Sequence, residues 1–342
     1  MARTRIFQAG FETGSLHEMD GHFFYAIDSD VVDAVDPQTG VYCMYTKALS
    51  LDYSYSWVNI SATRQISVGM FQKGAPAFAA KYPNIDIRSA GAALLELRID
   101  NGGLMDLYVG GALKDSMTGL TLGWKHIGID FYVHASSGWA KVYIDGVEEL
   151  SFTGNTGSSD IIQLRVGKLT SANLTWDQYW DDIYVDDTTG EGSATAPSPL
   201  RFYWLSPNGN GNYADWDGSD GNQVDNYQLV DEKPPSTADY VETNVADEYD
   251  SYDVSTLTLA LGEYAGAVIP YVYCIRGETT EEIAVGTRLS GVDSIGSDQT
   301  LNTAFTHGSY RFNRQVNKPG GGAWAQADID GVEVVVKSRG SY

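Results

Sequence analysis

Trp124-Lys-His-Ile-Gly-Ile-Asp-Phe-Tyr-Val-His134, followed by Ala140-Lys-Val-Tyr-Ile-Asp-Gly-Val147, sets the architecture of this chain. Apolar residues alternate in both arms, so the two read as a hairpin with one face toward a core and the other toward water. Asp145-Gly146 supplies the positive φ that a tight turn needs after the strand ending at Ile144. The same rhythm continues in residues 161–166 and in Tyr179-Trp-Asp-Asp-Ile-Tyr-Val185. Together these segments predict a two-sheet antiparallel sandwich.

Upstream, strand-like runs at residues 5–9, 22–27, 41–45, 56–60, 65–72, 94–99 and 105–109 recur at the spacing of an all-β sandwich. Downstream, the chain turns small and polar and is interrupted by Pro197 and Pro199, which makes residues 189–200 a linker between domains at 1–188 and 201–342. In the second domain, residues 207–226 are rich in Gly, Asn and Asp and read as a loop. Residues 254–262 alternate as a strand, and the apolar run 265–276 suits a central buried strand. Residues 281–289, 301–312 and 331–336 complete a second, smaller antiparallel sandwich, with a short helix expected over 239–247.

Composition agrees with this reading. The 342 residues suffice for two cores, and 12% aromatic against 20% charged residues fits pleated, half-buried strands. The net charge of -23 divides into -10 over residues 1–190 and -13 over the rest, with no local basic cluster. Counterion release cannot favour binding of nucleic acid to such a surface, so no nucleic-acid partner is expected. Cys43 and Cys274 lie in different halves, which excludes a disulfide framework within either domain or a cysteine-based zinc cage; buried free thiols are expected. The start of the chain has no apolar signal-peptide region, and no run of about 18 apolar residues occurs, so neither a signal peptide nor membrane insertion is expected.

Catalytic signatures are absent at the level of motifs. A glycoside hydrolase needs two carboxylates across a cleft. Here Glu148-Glu149 lies beside a turn, and Asp181-Asp182 are neighbours on a strand expected to point to opposite faces. No nucleophile elbow accompanies any of the five histidines, and His126 and His134 are expected on the solvated face of the hairpin.

Phe11-Glu-Thr-Gly14, Trp124 at the head of a strand, Val142-Tyr-Ile-Asp-Gly146 closing a hairpin and Trp180-Asp-Asp-Ile-Tyr-Val185 resemble, in order and spacing, the concanavalin A-like or laminin-G-like jelly roll over residues 1–188. The second half is similar to a C-terminal module common in structural proteins of tailed bacteriophages. Asp225-Asn-Tyr-Gln-Leu-Val-Asp-Glu-Lys-Pro-Pro235, Asp239-Tyr-Val241, residues 267–276 and Lys318-Pro-Gly-Gly-Gly-Ala-Trp-Ala-Gln-Ala327 carry that likeness, although the triple glycine departs from the usual spacing.

Taken together, the two resemblances imply a non-enzymatic protein on the virion surface, a capsid decoration, head-fibre or tail-associated component made in the host cytoplasm. Its implied partners are major capsid or tail proteins and further copies of itself, the second domain serving as assembly module. The alternative is an adhesin gripping host-surface glycan through the jelly roll, and the third reading is a carbohydrate-active enzyme. Jelly rolls of this resemblance often hold Ca²⁺ on a rim loop, which would fall on Asp181, Asp182 and Asp186, within a crowd that includes Asp177 and Asp187. Lectin-like sandwiches stack sugars on aromatic rings. Tyr53, Tyr55, Trp57, Trp176, Tyr179 and Trp180 are available, with Trp176 and Tyr179 the expected glycan contacts, although aromatic residues at strand spacing are usually core.

Overall fold

The computed structural model describes residues 4–11, 21–24, 31–33, 38, 43–48, 53–76, 81–121, 123–170, 176–192, 196–232, 235–260, 263–275, 282–301, 308–311 and 315–339. By contact the chain divides into two units, Met1–Tyr203 and Trp204–Tyr342. Both are built from antiparallel strands, so the protein is all-β, a jelly-roll sandwich followed by a smaller sandwich.

The strands of the first unit are β1 (Thr4–Ala9), β2 (Gly21–Phe24), β3 (Val31–Asp33), β4 (Cys43–Ala48), β5 (Ser54–Thr63), β6 (Gln65–Pro76), β7 (Tyr82–Arg88), β8 (Ala93–Ile99), β9 (Met105–Val109), β10 (Ala112–Met117), β11 (Lys125–Tyr132), β12 (Gly138–Ile144), β13 (Val147–Gly154), β14 (Ile161–Lys168) and β15 (Trp176–Asp187). One sheet runs β13-β12-β11-β6-β15-β4-β3, with β1 also paired to β15. The other runs β10-β9-β8-β7-β14-β5-β2.

The quoted hairpin forms as its alternation predicts. Ile127, Ile129 and Phe131 pair with Ile144, Val142 and Ala140, and all six side chains enter the core. Each large apolar side chain so buried contributes about 1.5–3 kcal/mol. Asp145 and Gly146, at φ 51 and 86, make the two-residue turn into β13 with both central residues left-handed. The facing sheet completes the core with Val58, Ile85, Ile87, Leu95, Leu97, Leu107 and Val166. Strands β7, β10 and β13 were not anticipated; in β7 and β13 residues such as Asp86, Arg88, Glu148, Glu149 and Ser151 dilute the apolar signal of the inward ones, and in β10 Met117 is the side chain packed against the core.

On the outer face of the eight-stranded sheet, Gly128 of β11 and Gly69 of β6 sit directly opposite one another. The Tyr184 ring fills the space over Gly69, where an added Cβ would lie 2.3 Å from it. Pro197, itself buried, lies against Gly128, and the Tyr184 hydroxyl donates to the Ser198 carbonyl. The polar segment after β15 is therefore laid onto the first sandwich, because two glycines leave a trough that a ring and a proline occupy.

The second unit contains β16 (Pro207–Ala214), β17 (Asp217–Gly218), β18 (Val241–Glu242), β19 (Tyr249–Val254), β20 (Tyr271–Cys274), β21 (Glu282–Leu289), β22 (Val292–Ile295), β23 (Gln299–Thr300), β24 (Gly308–Arg311) and β25 (Glu333–Arg339), with a one-turn helix, α1, at Gln326–Ile329. Its main sheet runs β16-β19-β25-β21-β22, with β23 also on β21. Tyr252, Ile283, Val285 and Val336 form its inner cluster, against which Val272 and Cys274 of the separate β20–β24 ladder pack.

Several expectations are corrected here. Within the expected central strand at 265–276 the described residues form β20 and an isolated bridge from Val268 to Gln315; β20 is half-buried and, among the described residues, paired with β24 alone, and Ile275 is exposed. The strand placed at 254–262 ends at Val254; the pairing registers with β25 lie upstream of it. The polar stretch 207–226 is not all loop, because β16 pairs with β19 as an edge strand whose exposed side chains can be polar. Residues 239–247 form no helix and contain β18.

Candidate functional site

Period-two alternation on the seven-stranded sheet sends one set of residues to the core and the other outward. Inward go Val58, Ile85, Ile87, Leu95, Leu97, Met105, Leu107, Leu164 and Val166. The opposite parity places Tyr55, Trp57 and Asn59 of β5, Gln163 and Arg165 of β14, Asp86 and Arg88 of β7, Glu96 and Arg98 of β8, and Asp106 and Tyr108 of β9 on the outer face. Cross-strand register then aligns one row across five strands: Trp57 opposite Arg165, Arg165 opposite Asp86, Asp86 opposite Glu96, Glu96 opposite Tyr108.

This row is held by charge-assisted bonds. Arg165 grips the buried Asp86 carboxylate through two nitrogens, its Nε donating at 2.8 Å to Oδ1 and its Nη2 donating to Oδ2. Arg88 adds a bond of 2.8 Å from Nη1 to the same Oδ2. Burial works against the charge of Arg165, but the bonds and field of Asp86 outweigh it, and its pKa is raised. Arg98 donates from Nε and Nη2 to Glu96 Oε2 at 2.9 and 2.6 Å. Beside them Asp106 accepts from Lys81 Nζ at 2.7 Å and from the Ser116 hydroxyl, and Gln163 donates to Asn59 at 3.1 Å.

Aromatic rings flank these groups. Tyr55 lies 6.0 Å from Trp57 and 6.3 Å from Tyr53, centre to centre, and Tyr53 is exposed. The Arg165 guanidinium sits 4.9 Å over the Tyr55 ring, and that of Arg98 sits 3.8 Å over Tyr108. Stacking holds each guanidinium flat, so its N–H groups point along the surface. The face thus offers ring surface beside fixed donors and acceptors, the combination that orients a polar ligand with apolar patches.

The residues expected to carry function lie elsewhere. Asp181 and Asp182 are both buried, at a bulge where β15 changes partner from β4 to β1. Asp182 has φ 50, which breaks the alternation expected to send the two carboxylates to opposite faces. Asp181 accepts from the backbone N–H of Gln38 at 3.0 Å and of Asp182 at 2.8 Å, and Asp182 accepts from the N–H of Phe202 at 2.8 Å. Asp186 forms a bidentate ion pair with Arg5. The three carboxylates expected around Ca²⁺ are thus each engaged by protein donors, and among the described residues no group of three or more His, Cys, Asp or Glu is placed to hold a metal ion.

Tyr179 stacks on Tyr45 at 4.7 Å, with Trp124 at 6.5 Å and Lys73 Nζ at 5.4 Å. It belongs to the eight-stranded sheet, apart from the row described above. Trp176 opens β15 opposite Ala48 and Pro76, and its side chain lies outside the described residues. Trp180 is core.

His126 is corrected as well. It points outward by parity yet is only 2% exposed, with neither ring nitrogen partnered among the described residues, and burial pulls its pKa down to about 4. His134 instead accepts from the backbone of Ser136 and Ser137 and closes the turn between β11 and β12. Sequence reasoning missed Asp86, Glu96, Arg98, Tyr108 and Arg165. Their signal was present as charged or aromatic residues inside Ile85-Asp-Ile-Arg88, Leu95-Glu-Leu-Arg98 and Met105-Asp-Leu-Tyr108, but nothing local says that these strands are neighbours.

No family model and no curated protein matches the chain. In fold it is similar to a sialidase (TM-score 0.42, 12% identity), covering 55% of this chain and 19% of that one. It is also similar to the catalytic domain of a glycoside hydrolase family 131 protein from Coprinopsis cinerea (0.37, 11%, 57% of this chain and 98% of that one) and to the polysaccharide lyase family 7 alginate lyase AlgAT5 (0.35, 16%, 47% and 84%). The chain thus spans about a fifth of the sialidase it resembles. At these identities and scores the likeness describes the β-sandwich fold alone. The expectation of a non-enzymatic phage structural protein is corrected at this point. The similar structures carry the names of carbohydrate-active enzymes, and nothing in the comparisons indicates a virion, a capsid or a phage origin.

Proposed function

We propose that the first unit engages carbohydrate, most simply a polysaccharide chain lying across the outer face of its seven-stranded sheet. One observation carries the reading: Trp57, Arg165, Asp86, Glu96 and Tyr108 line up across five neighbouring strands, with Tyr55 beside them. Four strand spacings span about 19 Å, room for several sugar rings. Aromatic faces suit the apolar side of a pyranose, while the guanidinium and carboxylate groups, fixed by one another, suit its hydroxyls.

The test is binding of the full chain to a polysaccharide panel by affinity electrophoresis and calorimetry, with Trp57→Ala and Tyr55→Ala compared by circular dichroism for intact folding. Each substitution is expected to weaken binding by roughly tenfold or more, the order of 1.4 kcal/mol for a lost stacking contact. Binding indifferent to both substitutions, or none across the panel, defeats the reading.

A second reading, turnover of the bound chain, is favoured by one feature. Asp86 and Glu96 are directly opposite on paired strands, which sets their Cβ atoms about 4.5–5.5 Å apart. Retaining glycosidases separate their carboxyl groups by about 5–5.5 Å. Each carboxylate here is tied to a guanidinium, so a ligand would have to draw Arg98 from Glu96 before that group could serve a leaving oxygen. Release of reducing ends that disappears in Glu96→Gln supports turnover; identical release in that variant removes it.

A further inference from the structure

Resting on the carbohydrate reading, we infer that the polymer is acidic, a polyuronate whose carboxylates are taken by the guanidinium groups of Arg88 and Arg98. The chain as a whole carries a net charge of -23, with 22 basic residues against 45 acidic. On this one face the balance reverses. Among the described residues, Lys81, Arg88, Arg98 and Arg165 stand against Asp86, Glu96 and Asp106, four cations to three anions in three neighbouring ion-pair groups, Lys81 with Asp106, Arg88 and Arg165 with Asp86, and Arg98 with Glu96. A local cationic excess on so acidic a molecule is a place where an anionic chain is accepted and most of the remaining surface repels it, which gives position as well as affinity.

Donor inventory points the same way. A guanidinium has five N–H groups. Arg88 uses Nη1 on Asp86, and Arg98 directs Nε and Nη2 to a single oxygen of Glu96. Both side chains are about a quarter exposed, at 25% and 29%. Donors at their outer edges have the fork geometry that matches a carboxylate bidentately. Arg98 is further fixed by its stack on Tyr108, so little freedom is lost when a carboxylate docks. Because β7 and β8 are antiparallel, Arg88 and Arg98 lie two residues beyond the Asp86–Glu96 pair in opposite directions. That places them about 13 Å apart along the strands, one on each side of the row, so that carboxylates projecting from opposite sides of a chain lying along the row can meet both.

The test compares polygalacturonate with the same polymer after carboxyl reduction, so that chain length and linkage are shared and only the charge differs. Calorimetry on the full chain is expected to show the acidic polymer bound at least about tenfold more tightly. Arg88→Gln and Arg98→Gln, singly, are each expected to lower affinity for the acidic polymer and to narrow the difference between the two polymers. Equal binding of both, or preference for the reduced one, overturns the inference while leaving carbohydrate binding intact. No binding of either, with none elsewhere on the panel, overturns both. Should an arginine substitution unfold the protein, the comparison of polymers on the unaltered chain still decides.

Discussion

Replacing His126 with Phe should change the acid response of this protein and little else. His126 is almost fully buried, its ring packs edge-on to Phe71 at 5.2 Å, and neither nitrogen has a partner among the described residues. Burial lowers its pKa from 6.5 to about 4, with the Asp145 carboxylate pulling more weakly in the opposite direction. The folded state therefore resists a proton that the unfolded chain accepts. Stability associated with the neutral ring is fully present above pH 6.5 and is lost as pH falls from there toward 4. A depression of that size is worth about 3 kcal/mol at the acid end of the window. Phe fills similar volume and removes two unmatched polar atoms, so at pH 7.5 the variant should be as stable as the parent or slightly more so.

Urea unfolding of both proteins between pH 7.5 and 4 checks this, read from the transition that responds to the substitution. Carboxylates titrate in both proteins and cancel in the difference, leaving the parent to lose about 3 kcal/mol more than His126→Phe. An NMR titration of the parent should show one imidazole Cε1 resonance, absent in the variant, that moves only near pH 4. Parallel pH curves, or a His126 midpoint near 6.5, would refute the reasoning.

Two further outcomes follow from buried polar contacts. Asp186→Asn leaves the Arg5 guanidinium, stacked 4.2 Å over Tyr184 and 8% exposed, without its countercharge; the expected loss is about 3 kcal/mol in thermal unfolding and the same with or without added calcium. A calcium-dependent loss would restore a metal role for that carboxylate. Tyr252→Phe removes a hydroxyl that donates at 2.6 Å to Asp250 inside the second unit, where burial already raises the pKa of that carboxyl. The expected cost is about 1–3 kcal/mol in the urea transition of that unit, and an unchanged midpoint would show that Asn226 and the Ser251 N–H suffice.

Legibility from sequence followed the range of the interaction involved. The in-and-out assignment of Ile127, Ile129 and Phe131 was readable because it depends only on alternation along one strand. So was the Asp145-Gly146 turn, which depends on two adjacent backbones. The apolar run 265–276 misled for the opposite reason. Its composition suits burial, but how deeply a strand is buried depends on its neighbours, and among the described residues β20 pairs only with β24. His126 misled likewise: pointing away from the core is a property of the strand, whereas meeting water depends on what else crosses that face.

Alternation, turn chemistry and composition thus determined that this chain is all-β, that a sandwich surrounds the hairpin of residues 124–147, and that its surface is strongly acidic. Those features are set by residues close in sequence or by simple sums over it. Tertiary structure alone decided that Trp57, Asp86, Glu96, Tyr108 and Arg165 share one row, and that Asp181, Asp182 and Asp186 serve as internal anchors. Strand order is a global choice among many pairings of similar local energy, and the site exists only once β14 has come to lie between β7 and β5.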